Sequence, residues 1–369
     1  MALARISLEP PPHIDPTKAT LAYGRLAIKR LNHELHDAIL LTRQRAVKTL
    51  CDYLHDHEHI AEAINEGVVT SLNILLEDPD VPCRAYATEC FVVLCRKLLL
   101  FVNLEPHFSE HELGRVAFLD QNILQSFLNL IKLSEVDIVR LNAQKAIELL
   151  TTSPDGALAV VENGYVPLLI NCARDEVDEI KIVVLDTLNH CLSFGTTKGL
   201  ESGGMPLFTQ LLSHESPEVR ARAAQNILRL SVNPIGKQEA LDNETIPALV
   251  ELLKDNSETV RASAAGALAF ICTTNHGRYT TLNAGAIPHL LQLVDDEISR
   301  VRVNALKVIT CLSETPEGRR ILLDNLNTIT SHEKDVNAAI LRSVSVPHGR
   351  NKVSNVSFSG REEKSLTSL

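Results

Sequence analysis

Few groups in this chain have the chemistry for catalysis or metal binding, and their spacing argues against both. His55, His57 and His59 alternate in a short polar stretch. A zinc site would need further Cys, His or carboxylate ligands converging on them at fixed spacing, and none accompanies them. Cys83, Cys90 and Cys95 lie close together without forming a C-x-x-C pair, so they read as core thiols rather than a redox centre. Gly195, Gly199, Gly203 and Gly204 make a glycine-rich stretch, but no Gly-Lys-Ser/Thr follows to complete a phosphate loop, and it reads as a turn. No Ser/His/Asp or Cys/His set can be assembled. The expectation is a protein that is not an enzyme and needs no cofactor, no metal and no small-molecule substrate. The final Thr367-Ser368-Leu369 has the form of a C-terminal ligand for PDZ domains.

What would position any functional group is a repeat. Pro206, Pro247 and Pro288 stand 41 residues apart, and each opens a short apolar run that is followed by a long helix-forming stretch. A fixed period near forty is the signature of a helical solenoid, in which each unit contacts only its neighbours. Aligning on the basic residue before the small-residue stretch gives Arg43, Arg84, Arg140, Lys181, Arg220, Arg261 and Arg302, at spacings of 41, 56, 41, 39, 41 and 41. Seven units fit. Each divides into an apolar stretch such as Pro247–Lys254, a polar turn Asp255–Glu258 and an amphipathic helix from about Thr259, with Ala264, Ala265, Ala267 and Leu268 at helical spacing. Proline at the start of the apolar stretch suits N1 of a helix. Glycines before it (Gly164, Gly204, Gly285) or after the long helix (Gly236, Gly277, Gly318) suit turns of positive φ.

Composition agrees with stacked helices. Hydrophobic residues are 45% and aromatics 4%, with no Trp, so the core is aliphatic. The eight cysteines read as buried free thiols in a reducing compartment. A formal charge of −10, against which residues 347–369 set four cations and two carboxylates, leaves the body more acidic still and disfavours nucleic-acid binding. Neither a signal-peptide core nor an apolar run of roughly 20 residues occurs, so a cytoplasmic protein with no membrane contact is expected, and the sequons at Asn243 and Asn355 are chance matches.

Residues 1–24 form an N-terminal arm and the start of a capping helix, with Asp15 as N-cap, Pro16 at N1 and a run to about Leu35. Residues 25–325 hold the array, with an insertion at 96–111 whose apolar part, Leu98–Leu104, extends the second long helix and whose polar part is a surface loop. Residues 326–346 supply a C-terminal capping helix around Asp335–Val346, and 347–369 are too polar to repay ordering.

The V-R-x-x-A-A-x-A-L pattern of Val260–Leu268 resembles the armadillo repeat. That resemblance implies an all-α, right-handed superhelix of about seven repeats with helical caps. From about Ala4 to Val346 the chain further resembles the armadillo-repeat radial spoke head proteins of motile cilia. The match is carried by ARISLEPPPHIDPTKATLAYGRLAIKRLNHEL, by LLTRQRAVKTLCDYLHD, by GRVAFL at Gly114–Leu119 and by SAAGALAF at Ser263–Phe270, with Ile14–Gly24 the most specific part. The insertion and the tail depart from that family's pattern. The resemblance implies a structural scaffold in the axoneme of cilia and flagella, part of the cytoskeleton, with other radial spoke proteins as partners.

Armadillo proteins that hold extended peptides present a ladder of Asn, often with Trp, along the groove of the long helices, because an Asn amide pairs with both N–H and C=O of a peptide. The positions matching that Asn are Asp52, Val93, Leu149, His190, Arg229, Phe270 and Cys311. Those matching the Trp are Lys48, Glu89, Lys145, Asp186, Gln225, Gly266 and Lys307. Neither ladder is present, which weighs against capture of import signals and for a folded or helical partner. Lys145, His190, Arg229 and Phe270 are the candidate partner contacts, aromatic and Arg residues being favoured as hot spots. The alternative is a soluble adaptor of the ubiquitin-ligase or transport type using the same groove.

Overall fold

Closely spaced Ala and Leu at helical period demand helices that approach one another, and the computed structural model is all-helical over the residues it describes, 26–56, 58–104 and 123–325. No strand occurs among them. The chain divides into two compact units, Met1–Leu168 and Leu169–Leu369.

In the second unit a repeat consists of three helices. One example runs Pro234–Asp242, then Thr245–Glu251 with a 3-10 turn Leu252–Lys254, then Glu258–Ile271. The first of these occupies residues that the sequence pattern suggests are only a turn and a short run. Its buried residues are Gly236 and Ala240, too few to write an apolar stripe. Capping defines it instead: Pro234 is at N1, and Asn233 Oδ1 accepts from Ile235 N at 2.9 Å. Ser153 and Thr274 cap the corresponding helices Pro154–Glu162 and Asn275–Asn283.

Two expectations about punctuation are corrected. Pro206, Pro247 and Pro288 stand at the third position of the helices Gly204–Leu211, Thr245–Glu251 and Ala286–Leu293, not at N1. The first turn still tolerates them, since none of its N–H groups has an intrahelical acceptor. The positive φ falls on the residue before those helices, Gly203 rather than Gly204, along with Gly67, Gly164 and Gly285 at 73–75° and Glu244 at 54°. Gly236, Gly277 and Gly318 serve close packing instead. A Cβ on Gly236 would lie 2.0 Å from Leu230 O, the end of the preceding long helix.

The long third helices carry the core. Val260, Ala264, Ala265, Ala267, Leu268 and Ile271 are fully buried as Glu258–Ile271 packs between Pro217–Leu230 and Ser299–Leu312. Each fully buried Leu or Ile contributes roughly 1.5–3 kcal/mol, while the alanines let backbones approach. In the first unit Leu40–Leu54, Val81–Leu104 and Asp137–Thr151 pack the same way. Val81–Leu104 runs 24 residues against 14 for Glu258–Ile271, so the apolar part of the insertion does continue the second long helix. Phe91 and Phe127 meet edge to face at 5.2 Å, and Tyr165 Oη donates to Leu124 O. Of the expected N-terminal helix, Ala27–Glu34 is present. The Asp15-Pro16 start, residues 105–111 of the insertion, the helix at 335–346 and the tail at 347–369 lie outside the described residues.

The arginines used to align the repeats tie one repeat to the next. Arg43, Arg220 and Arg261 place Nε 2.9, 2.9 and 2.8 Å from Asp78, Asp255 and Asp296 of the following repeat. Nη1 of each donates to two carbonyls of its own preceding loop, as Arg261 does to Asp255 O at 2.9 Å and Asn256 O at 3.0 Å. The aspartate closes that loop, Asp255 Oδ1 accepting from Ser257 N at 2.8 Å. Where Lys181 replaces the arginine, His214 holds the aspartate's place, with Nδ1 accepting from Ser216 N and Nε2 3.4 Å from Asp178.

Candidate protein-binding face

The third helices present their outward faces side by side, and in the second unit three of the four candidate residues stand on successive ones. His190 is at the end of Asp178–Cys191, Arg229 at the end of Pro217–Leu230 and Phe270 at the end of Glu258–Ile271. Arg229 is exposed, with its Nε 3.4 Å from Asn189 Oδ1. Phe270 keeps 41% of its surface open, a large exposure for an aromatic in a chain with so few. His190 is half-buried; desolvation holds its pKa below the ordinary value, Asp186 opposing that and Arg229 reinforcing it. Lys145, half-buried, stands on Asp137–Thr151 in the first unit.

The face is cross-braced from helix to helix, which the sequence pattern leaves unseen. Arg222 Nε is 2.8 Å from Asp186 Oδ2 and Gln225 Nε2 donates to Ser263 Oγ at 3.2 Å. Asn226 Nδ2 donates to Leu185 O at 2.9 Å and Asn304 Nδ2 to Ala262 O at 2.8 Å, both carbonyls of the preceding long helix. Asn226 and Asn304 therefore spend their amide N–H groups inside the array rather than offering them to a peptide. Their signal in the sequence is a polar amide standing among small apolar residues. Gly266, at a Trp-matching position, lies so close under Leu228 and Asn304 that a Cβ would sit 3.3 and 3.2 Å from them. Exposed aliphatic residues of this unit include Val232, just past the end of Pro217–Leu230, and Val303 in the first turns of Ser299–Leu312. The result is a rigid surface carrying an aromatic, a guanidinium and scattered aliphatic groups.

The other candidate chemistries take structural roles. His59 stacks on Tyr53 at 3.7 Å and His55 Nδ1 bonds Cys51 O, while His57 lies outside the described residues. Among the described residues no group of three or more His, Cys, Asp or Glu is placed to hold a metal ion, and no single helix is long and apolar enough to cross a membrane. All eight cysteines are free thiols; seven are buried and Cys311 is half-buried. Burial pushes Cys95, Cys191 and Cys272 up to about 12.

Residues 204–310 match the HEAT repeat family. Among solved structures the chain is similar to an engineered protein at a TM-score of 0.65 and 18% identity, over 87% of this chain and 89% of that one. It is also similar to a designed armadillo repeat protein in complex with the peptide (KR)4, at 0.56 and 20%, over 65% of this chain and 98% of that one. Computationally designed armadillo repeat proteins for modular peptide recognition match at the same values. The fold is an armadillo/HEAT repeat solenoid. Solenoids of this kind present extended surfaces rather than enclosed chambers.

Proposed function

We propose that this solenoid is a non-catalytic scaffold subunit of the axonemal radial spoke in motile cilia and flagella, holding neighbouring spoke proteins in fixed relation through its third-helix face. The observation that carries the scaffold reading is the bracing of that face: its asparagines bond the preceding helix, and Arg229 and Phe270 stand out beside them. A pre-formed, rigid surface binds a folded or helical partner without an ordering cost. The ciliary assignment rests on the resemblance carried by Ala4–Leu35 and Gly114–Leu119.

Two measurements test this. Tagged protein in multiciliated cells should enter the axoneme, remain after salt washing and recover other spoke proteins; a diffuse distribution with no spoke proteins recovered overturns the ciliary reading. Replacing Arg229 and Phe270 together by Ala should weaken that recovery at unchanged helix content and melting temperature, and undiminished recovery excludes this face.

A further inference from the structure

At one junction the arginine–aspartate ladder lacks its anion. Arg84 occupies in the second repeat the place of Arg43, Arg220 and Arg261, and its Nη1 grips its own loop as theirs do, donating to Asp78 O at 2.6 Å and Pro79 O at 3.0 Å. Six residues before the next repeat's arginine, where Asp78, Asp255 and Asp296 stand elsewhere, the chain has Ser134 ahead of Arg140. Ser134 keeps the local part of the aspartate's role. Its Oγ accepts from Val136 N at 3.3 Å, and its carbonyl accepts from Arg140 Nη1 at 2.9 Å. What it omits is the carboxylate. Nε and Nη2 of Arg84, the edge that in Arg220 and Arg261 meets an Asp oxygen at 2.7–2.9 Å, have no acceptor among the described residues.

Where the rung is missing, a cavity of about 600 Å³ opens, with Arg84 and Ser134 both on its wall. Leu76, Val81, Leu130, Leu133 and Val136 supply an aliphatic lining, and Leu133 is 77% exposed. Glu77 and Glu135 stand at the rim, while Asp78 is neutralised by Arg43 at 2.9 Å. The volume is that of an ordinary ligand pocket. A guanidinium edge with no acceptor among the described residues, beside aliphatic surface, recognises a carboxylate attached to an apolar body, and a two-point charge-assisted bond makes the preference strong.

We propose that this cavity docks a segment of a partner protein in which a single Asp or Glu side chain is flanked by leucine-sized residues. The carboxylate completes the rung on Arg84, and the aliphatic side chains cover Leu130 and Leu133. Glu77 and Glu135 exclude a second acid and favour a neutral or basic flank. This site belongs to the first unit, whereas Arg229 and Phe270 belong to the second, and it stands or falls independently of the spoke assignment.

The test uses the full chain and fluorescein-labelled, C-terminally amidated peptides containing Leu-Asp-Leu-Lys or Leu-Asn-Leu-Lys, followed by fluorescence anisotropy. The Asp peptide is expected to bind at least about tenfold more tightly than the Asn peptide, since a charged bond of this kind is worth roughly that factor or more. Arg84→Gln should erase the difference. Ser134→Asp supplies the carboxylate from within the chain, and should abolish peptide binding while raising the melting temperature, a gain that also shows the variant is folded. Equal binding of the two peptides, absence of saturable binding of the Asp peptide up to millimolar concentration, or undiminished binding by Ser134→Asp each overturns the proposal. Saturable binding of octanoate without binding of the Asp peptide overturns the assignment to a protein segment.

Discussion

Arg220 and Asp255 are 35 residues apart in the chain, and Nη2 of one lies 2.8 Å from Oδ2 of the other, with both side chains largely withdrawn from solvent. The same geometry recurs at Arg43–Asp78 and Arg261–Asp296, so at these three junctions one pair fixes the spacing of adjacent repeats. Removing one partner leaves the other charge partly buried and opens the loop closed by Asp255. Asp255→Ala should destabilise the chain by about 3 kcal/mol, measured by urea unfolding. Removal of the exposed Glu251, which pairs with Lys254, should leave the midpoint unchanged.

Glu244 is the one non-glycine residue of positive φ among the described residues, at a position filled by Gly67, Gly164, Gly203 and Gly285 elsewhere. Left-handed backbone costs a residue with a Cβ about 1 kcal/mol. Glu244→Gly should therefore stabilise the protein by about that amount, visible as a higher melting temperature. Gly236→Ala should act oppositely, costing about 3 kcal/mol, because its Cβ would meet the Leu230 carbonyl oxygen at 2.0 Å. A neutral Gly236→Ala would show that the long helix can withdraw.

Burial holds the pKa of His190 below that of an unfolded histidine, with Arg229 adding to the effect against Asp186. The folded state thus prefers neutral imidazole, so stability is fully present above the unfolded value near 6.5 and falls as pH drops from there through the folded pKa. Unfolding midpoints measured between pH 8 and 5 should show this loss, and His190→Asn should flatten it. An identical pH profile in the variant would assign the loss to other groups.

With Cys95, Cys191 and Cys272 pushed up to about 12, essentially none of their thiols is ionised at pH 8. Iodoacetamide at that pH should leave them unmodified in the native protein and label them all after unfolding, read by mass spectrometry. Cys311, half-buried and with its thiol raised less, should be labelled before them.

The period of the anchors and the alanines of Val260–Leu268 determined the helical repeat, because close packing of long helices needs small residues at fixed spacing, and such residues are visible in the chain. The helix Pro234–Asp242 was not legible: it buries only Gly236 and Ala240, and its signal is a cap rather than a stripe. Gly164 and Gly285 mark positive-φ turns as their place in the pattern suggests, whereas the prolines and Gly204 pointed to the right turns but one or two residues off, since turn chemistry tolerates a shift that three-dimensional packing does not. His190, Arg229 and Phe270 could be placed on successive helices from their spacing. That Asn226 and Asn304 spend their amides on neighbouring backbone could not. Nor could sequence alone show that Ser134 leaves Arg84 facing a cavity, although the substitution was there to be read. A one-dimensional pattern specifies which residues recur; only the tertiary structure decides which recurring partners meet, because every rung of the ladder joins residues about 35 apart.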